Sequence, residues 1–243
     1  MRVMICVLLS AAAVVHAADA DELKVRAALT KAAPGASIDS LRASPMPGVT
    51  EAVVSGQVVY ISSDGRFLMQ GKLIDLEKGH DLTTSTENTI RQAVLAKVGA
   101  DQRISFPAAH EKHKVTVFTD VDCGYCRKLH QEMSAFNAAG ISVDYVMFPR
   151  AGMPSASFDK AAFVWCAVDQ QSAFTTSMQN GELAADLRQT CKHPIEATMK
   201  LGQKIATLGT PTIVADDGSL VGGYVDAAQL SQRLDSLAAL TKH

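Results

Sequence analysis

The spacing of apolar positions changes several times along the chain, and each change marks an element. Val3 to Val15 is an almost unbroken apolar run behind Met1-Arg2. From Asp21 to Ala33 the positions Leu23, Ala27 and Ala28 recur at helical spacing, and Pro34-Gly35 stops them. Pro45, Pro47 and Gly48 mark an irregular stretch. Val53 to Ile61 is rich in β-branched residues and predicts a strand. Ser63-Asp64-Gly65 predicts a turn, Phe67-Leu68-Met69 a second strand and Leu73 to Leu76 a third. Thr84-Ser85-Thr86-Glu87 has the form of a capping box, and Ile90, Val94 and Val98 follow it at intervals of four, up to Gly99. Ile104 to Lys114 reads as a polar, Pro-containing approach to the next core.

From Val115 the pattern is strand, loop, helix, strand. Val115 to Phe118 is a short strand and Cys123-Gly124-Tyr125-Cys126 follows it. Leu129, Met133 and Phe136 share one helical face closed by Gly140, and Ile141 to Phe148 is the next strand. That order predicts a parallel βαβ unit. Residues 150 to 206 are mostly helical in pattern and contain Cys166 and Cys191. Pro211 to Val214 predicts a strand, Asp216-Asp217-Gly218 a turn and Ser219 to Val221 a returning strand. A last helix opens at Asp226 and carries Leu230, Leu234, Leu237 and Leu240. The chain therefore divides into residues 18–80, a small α+β unit; 81–104, a connecting helix and hinge; and 105–243, a second unit with a helical insertion over about 150–206.

Residues 1–17 read as a cleavable secretory signal, with Val15-His16-Ala17 as the cleavage site and Ala18-Asp19-Ala20 as the alternative. No later segment is apolar for long enough to span a membrane. The expectation is a soluble, exported protein. A net charge of -2 and 20% charged residues give no basic footprint, so nucleic acid is not an expected partner. About sixty residues make a small core, so the first unit is expected to pair with a second copy. Cys6 lies within the signal, and four of the five cysteines remain after cleavage. Four cysteines allow three connectivities.

Cys123 and Cys126 stand between the end of a strand and the start of a helix. Unsatisfied N–H groups and the helix dipole stabilise a thiolate there. The expected roles are an exposed nucleophile at Cys123 and a buried resolving thiol at Cys126. Zinc would need further ligands such as His110 and His113, and a c-type haem would need a His where Arg127 stands. No metal or other cofactor is expected. Asp120, Asp122, Arg127 and Lys128 read as solvated charges, His130 as a surface residue and Trp165 as core.

The segment from Phe118 to His130, FTDVDCGYCRKLH, closely resembles the active-site segment of the DsbC/DsbG family of periplasmic disulfide isomerases. The Gly124-Tyr125 pair is the DsbC-type choice, and Gly209-Thr210-Pro211 resembles the family's cis-proline loop. The resemblance implies a thioredoxin fold with a helical insertion, preceded by a cystatin-like dimerisation domain and a linker helix. It implies a cis peptide before Pro211, where the residues alone suggest a strand-initiating proline. Gly124, Tyr125, Thr210 and Pro211 would then hold an extended substrate chain, and Cys166 would pair with Cys191 in a structural disulfide. The implied activity is periplasmic reshuffling of non-native disulfides through a mixed disulfide. The implied partners are a second copy, misfolded disulfide-bonded proteins held in a chaperone-like way, and a membrane reductase of the DsbD type. The rival activities are a DsbG-like reductase of sulfenylated cysteines, a dithiol oxidase, and a holdase whose cysteines are incidental.

Overall fold

The computed structural model describes residues 11–180, 191–205 and 209–240. They fall into two units, one up to Thr86 and one from Glu87 onward. Residues 1–10 of the expected signal lie outside the described residues. The first helix, α1, spans Ala11–Ala32, so it begins well before Asp21 and runs through the expected cleavage site. Among the described residues no helix is long and apolar enough to cross a membrane.

In the first unit α1 is followed by β1 (Ile38–Ala43), β2 (Val49–Val54), β3 (Gln57–Ser62) and β4 (Leu68–Met69), an antiparallel sheet in that order. Val25 and Leu29 of the helix meet Ala52, Val59 and Ile61 of the sheet in a small core. The β-branched run at 53–61 is two strands rather than one. Ser55 (φ 49°) and Gly56 (φ 79°) both adopt positive φ, and Val54 faces Gln57 across them. Two residues of positive φ make the tight turn that suits a twisted hairpin. The expected third strand shrinks to β5 (Ile74–Asp75), paired with β6 (His80–Asp81).

Helix α2 spans Leu82–Leu95, two residues ahead of its predicted cap. The cap is Asp81, whose Oδ1 accepts the Thr84 N–H at 2.8 Å. A carboxylate there faces the positive end of the helix dipole. Behind this first turn lies a buried polar network. Glu51 accepts from Arg42 Nε at 2.6 Å and from the Tyr60 hydroxyl at 3.3 Å, and the Tyr60 and Thr83 hydroxyls are 2.6 Å apart.

The second unit contains β7 (Ile104–Phe106), β8 (His113–Thr119), α3 (Gly124–Gln131), α4 (Met133–Ala138) and β9 (Ile141–Met147). Then come α5 (Ala156–Cys166), α6 (Gln170–Asn180), α7 (Ile195–Lys204), β10 (Thr212–Ala215), β11 (Leu220–Gly222) and α8 (Ala227–Leu240). The sheet order is β11-β10-β8-β9-β7, with β8 and β9 parallel and the other pairs antiparallel. Every residue of β9 is buried, as fits a parallel strand covered on both faces. The polar approach to β8 contains β7, an edge strand that Ile104 anchors in the core. The helix expected from the CxxC to Gly140 is interrupted at Glu132 (φ −94°, ψ 11°). Cys166 and Cys191 form a disulfide. Asp226 caps α8 through the Gln229 N–H at 2.8 Å.

His130 also departs from expectation. It is 5% exposed, on the inner face of α3. Its ring meets Phe106, Tyr145 and Phe174 at centroid distances of 5.0, 5.6 and 5.0 Å. Nδ1 lies 3.3 Å from the Tyr145 hydroxyl and Nε2 lies 3.0 Å from Thr175 Oγ1. Burial pushes its pKa down to about 4, so it is neutral in the folded protein. An unfolded chain protonates this residue near pH 6.5 while the folded chain does not. Stability is therefore expected to fall between about pH 6.5 and pH 4, by about 3 kcal/mol from this residue. Urea unfolding across that range should show a flatter acid limb in His130→Phe than in the parent. An equal slope in both would remove His130 as the cause.

Candidate functional site

Strand β8 ends at Thr119, and four residues later α3 begins with Cys123 as its N-cap. The loop is drawn tight because the Cys123 N–H bonds the Asp120 carbonyl at 3.0 Å. Cys123 Sγ accepts the Cys126 N–H at 3.4 Å, so the sulfur fills the capping role that an oxygen usually fills. The same sulfur donates to the Thr210 carbonyl at 3.1 Å. The Thr210–Pro211 peptide bond is cis, and it leads into β10, which pairs with β8. The pairing of β8 with β10 thus brings the two loops together. Both cysteines are free thiols.

Cys123 is 2% exposed rather than open, because the Thr210 loop lies against its sulfur. Cys126 is fully buried, one turn along the helix. Their environments push them apart. Burial raises the Cys123 thiol, but hydrogen bonding by Thr210 and Cys126 and the Arg150 charge outweigh it, and its pKa falls below the ordinary value. The Thr210 hydroxyl is buried with no hydrogen-bond partner beside the protonated thiol, which leaves it free to donate to a thiolate. Burial dominates at Cys126 and pushes its pKa up to about 12.

Asp120 is not the solvated charge its sequence suggests, since it is 2% exposed. Its Oδ2 accepts from the Arg150 N–H at 2.9 Å and Arg150 Nε at 3.1 Å. Its Oδ1 accepts from the Asp122 N–H at 2.9 Å and the Ser157 hydroxyl at 2.6 Å. Burial alone would raise its pKa, but these donors hold it below the usual carboxylate value. Asp122 is paired as well, with Lys160 at 2.7 Å and Arg127 at 3.4 Å. Tyr125 projects from between the cysteines and is 65% exposed.

Sequence reasoning missed Arg150 and Tyr224. Arg150 stands just past the carboxyl end of β9, the end at which the CxxC leaves the parallel neighbour β8. That shared end was the signal available for it. Tyr224 follows β11, and no spacing in the chain relates it to Tyr125, yet the two rings stack at 6.2 Å.

Two family descriptions cover most of the chain. Residues 16–84 match the Disulfide bond isomerase protein N-terminal domain, and residues 100–238 match the Thioredoxin-like domain. The thiol:disulfide interchange protein DsbC of Dickeya dadantii is 36% identical over 225 residues, covering 93% of this chain and 91% of the relative. The Escherichia coli K12 protein of the same name is 32% identical over 226 residues, covering 92% of each. A disulfide interchange protein structure from Neisseria gonorrhoeae superposes with a TM-score of 0.51 at 30% identity, over 57% of this chain and 96% of that one. Both halves and their order are thus those of one lineage, and the chain belongs to the DsbC family of thiol:disulfide interchange proteins.

Proposed function

We propose that the chain is a periplasmic disulfide isomerase in which Cys123 is the nucleophile and Cys126 the resolving thiol. One observation carries this reading: of two free thiols, one caps a helix start and touches the cis-proline loop, while the other lies fully buried one turn along the helix. The Cys123 thiolate attacks one sulfur of a substrate disulfide. The substrate S–S bond breaks, its other sulfur leaves as a thiolate, and a Cys123–substrate disulfide forms. The freed substrate thiolate then attacks a different disulfide or returns to the mixed one, releasing Cys123. Cys126 attacks only when the substrate fails to rearrange, and that route leaves Cys123 and Cys126 oxidised. Gly124, Tyr125, Thr210 and Pro211 receive the substrate chain, which hydrogen-bonds along the exposed loop backbone.

A protein that must stay reduced needs an electron donor, and the proposed donor is a membrane reductase of the DsbD type. The signal would direct export and then be cleaved after Ala17. The proposed active form is a homodimer joined through residues 18–80, with chaperone-like binding of misfolded proteins. Supporting the pairing, β4 is the edge strand of its sheet and exposes Leu68 and Met69, with Phe67 exposed beside them. An uncovered apolar edge of this kind invites strand addition from a second copy.

Four outcomes are expected. Cys126→Ala should accumulate mixed disulfides at Cys123 in periplasmic extracts, and the protein should restore scrambled ribonuclease only while Cys123 is intact. No rescue, with suppression of aggregation unchanged in Cys123→Ala, would favour a holdase, and oxidation without rescue a dithiol oxidase. Arg150→Met removes a cation that favours the thiolate, so the Cys123 pKa should rise by up to about one unit, read from thiolate ultraviolet absorbance against pH. Light scattering should report a dimer that Leu68→Asp with Met69→Asp converts to monomer. A variant that stays dimeric would move the interface elsewhere.

A further inference from the structure

Beside the reactive thiol lies a pair of rings whose surroundings are already settled. Tyr125 and Tyr224 stack with 28° between their planes. Lys128 Nζ sits 4.5 Å from the centre of the Tyr224 ring, and the Tyr224 hydroxyl donates to Glu132. That hydroxyl is therefore held protonated, its pKa raised to about 12 by its bond to Glu132. Tyr224 is thus fixed by a ring, a cation and a carboxylate, while Tyr125 keeps 65% of its surface in solvent. The preceding residue, Gly223, is exposed, and a Cβ built on it would lie 3.8 Å from the Pro211 carbonyl. The cis-proline loop, the bare Gly223 backbone and the ring pair are thus contiguous along one side of Cys123.

The charges nearby are already used within the protein. Asp120 is taken by Arg150, Asp122 by Lys160 and Arg127, and Glu132 by Tyr224. A ligand arriving at the rings meets the exposed ring face of Tyr125, while Lys128 and Glu132 are already turned to Tyr224. Such a face favours a flat apolar side chain over a charged or hydroxylated one.

We infer that Tyr224, with Tyr125, forms a substrate-positioning platform for an aromatic side chain next to the reacting cysteine of an extended polypeptide. This inference rests on Cys123 being the nucleophile, and it adds a preference among substrates. Tyr224 acts by holding the substrate chain and by bracing Tyr125, and it takes no part in the bond changes. The chain would cross Gly223, where no side chain obstructs it, before an aromatic residue reaches the rings.

The test uses two synthetic peptides of equal length, each with one cysteine carried as a mixed disulfide with thionitrobenzoate. In one, Trp flanks the cysteine on both sides; in the other, Ser does. Attack by Cys123 forms a disulfide to the peptide sulfur and releases the coloured thiolate, which gives the rate. Each rate is divided by that peptide's rate with free glutathione, to remove intrinsic reactivity. The reduced full-length protein should favour the Trp peptide about three- to ten-fold. Tyr224→Ala should bring the ratio close to one, and Tyr224→Phe, which keeps the ring, should retain most of it. A ratio near one in the parent, or an undiminished ratio in Tyr224→Ala, overturns the platform. Release from neither peptide would overturn the nucleophile assignment itself, which separates the two failures.

Discussion

A buried carboxylate holds the reactive loop in place. Asp120 is removed from water, and an ionised carboxylate in that position costs several kcal/mol unless donors replace its hydration. Four do so, from three segments: the Asp122 N–H in the loop itself, the Arg150 N–H and Nε after β9, and the Ser157 hydroxyl in α5. None of these donors could leave without exposing the cost of the others. The path from Thr119 to Cys123 is therefore set, and the Cys123 N–H finds the Asp120 carbonyl. Arg150 is held by the same carboxylate, so its charge acts on Cys123 from a fixed place. The arrangement reconciles two demands, because a thiol sheltered from solvent would otherwise resist ionisation.

The connecting helix is governed by a similar constraint at each of its ends, met within each unit separately. In the first unit the opening turn of α2 brings Thr83 and Thr86 onto Tyr60 and Glu51, with Arg42 closing the network on Glu51. In the second unit the later turns place Val94 and Leu95 against Phe118, Val146 and Phe148. There the buried Arg91 donates through Nε to the Gly218 carbonyl at 2.7 Å. Half-satisfied networks of this sort would be worse than apolar packing. The first turn and the later turns thus have different tasks.

Much of this was legible in the chain. The CxxC at a strand-to-helix junction, the βαβ order and the terminal helix all depend on local period and capping, which neighbouring residues alone determine. The missed features depend on distant partners. Asp120 reads as solvated because its donors Arg150 and Ser157 lie 30 and 37 residues away. His130 reads as a surface residue until β9 and α6 supply Tyr145 and Thr175. Strand β7 hides among polar residues because only Ile104 and Phe106 of its three positions point to the core side. The hairpin at Ser55-Gly56 is locally readable, since a small pair between two β-branched runs is a turn signal, although the run of β-branched residues masks it.

The difference between the two thiols bears on why such a site would reshuffle bonds rather than simply make them. In the proposed mechanism the resolving thiol, whose pKa burial pushes up to about 12, is rarely a thiolate at neutral pH. Its attack on a mixed disulfide is correspondingly rare unless something lowers that pKa. Substrate thiols near their ordinary pKa are ionised far more often and compete from within the bound chain. Cys123, by contrast, is a better leaving group because its thiolate is favoured. In the proposed mechanism this asymmetry would hold the substrate covalently long enough for its own thiols to act and then favour its release from Cys123. Burial of Cys126 on one side, and the helix cap, Thr210 and the Arg150 charge at Cys123 on the other, set the two thiols apart.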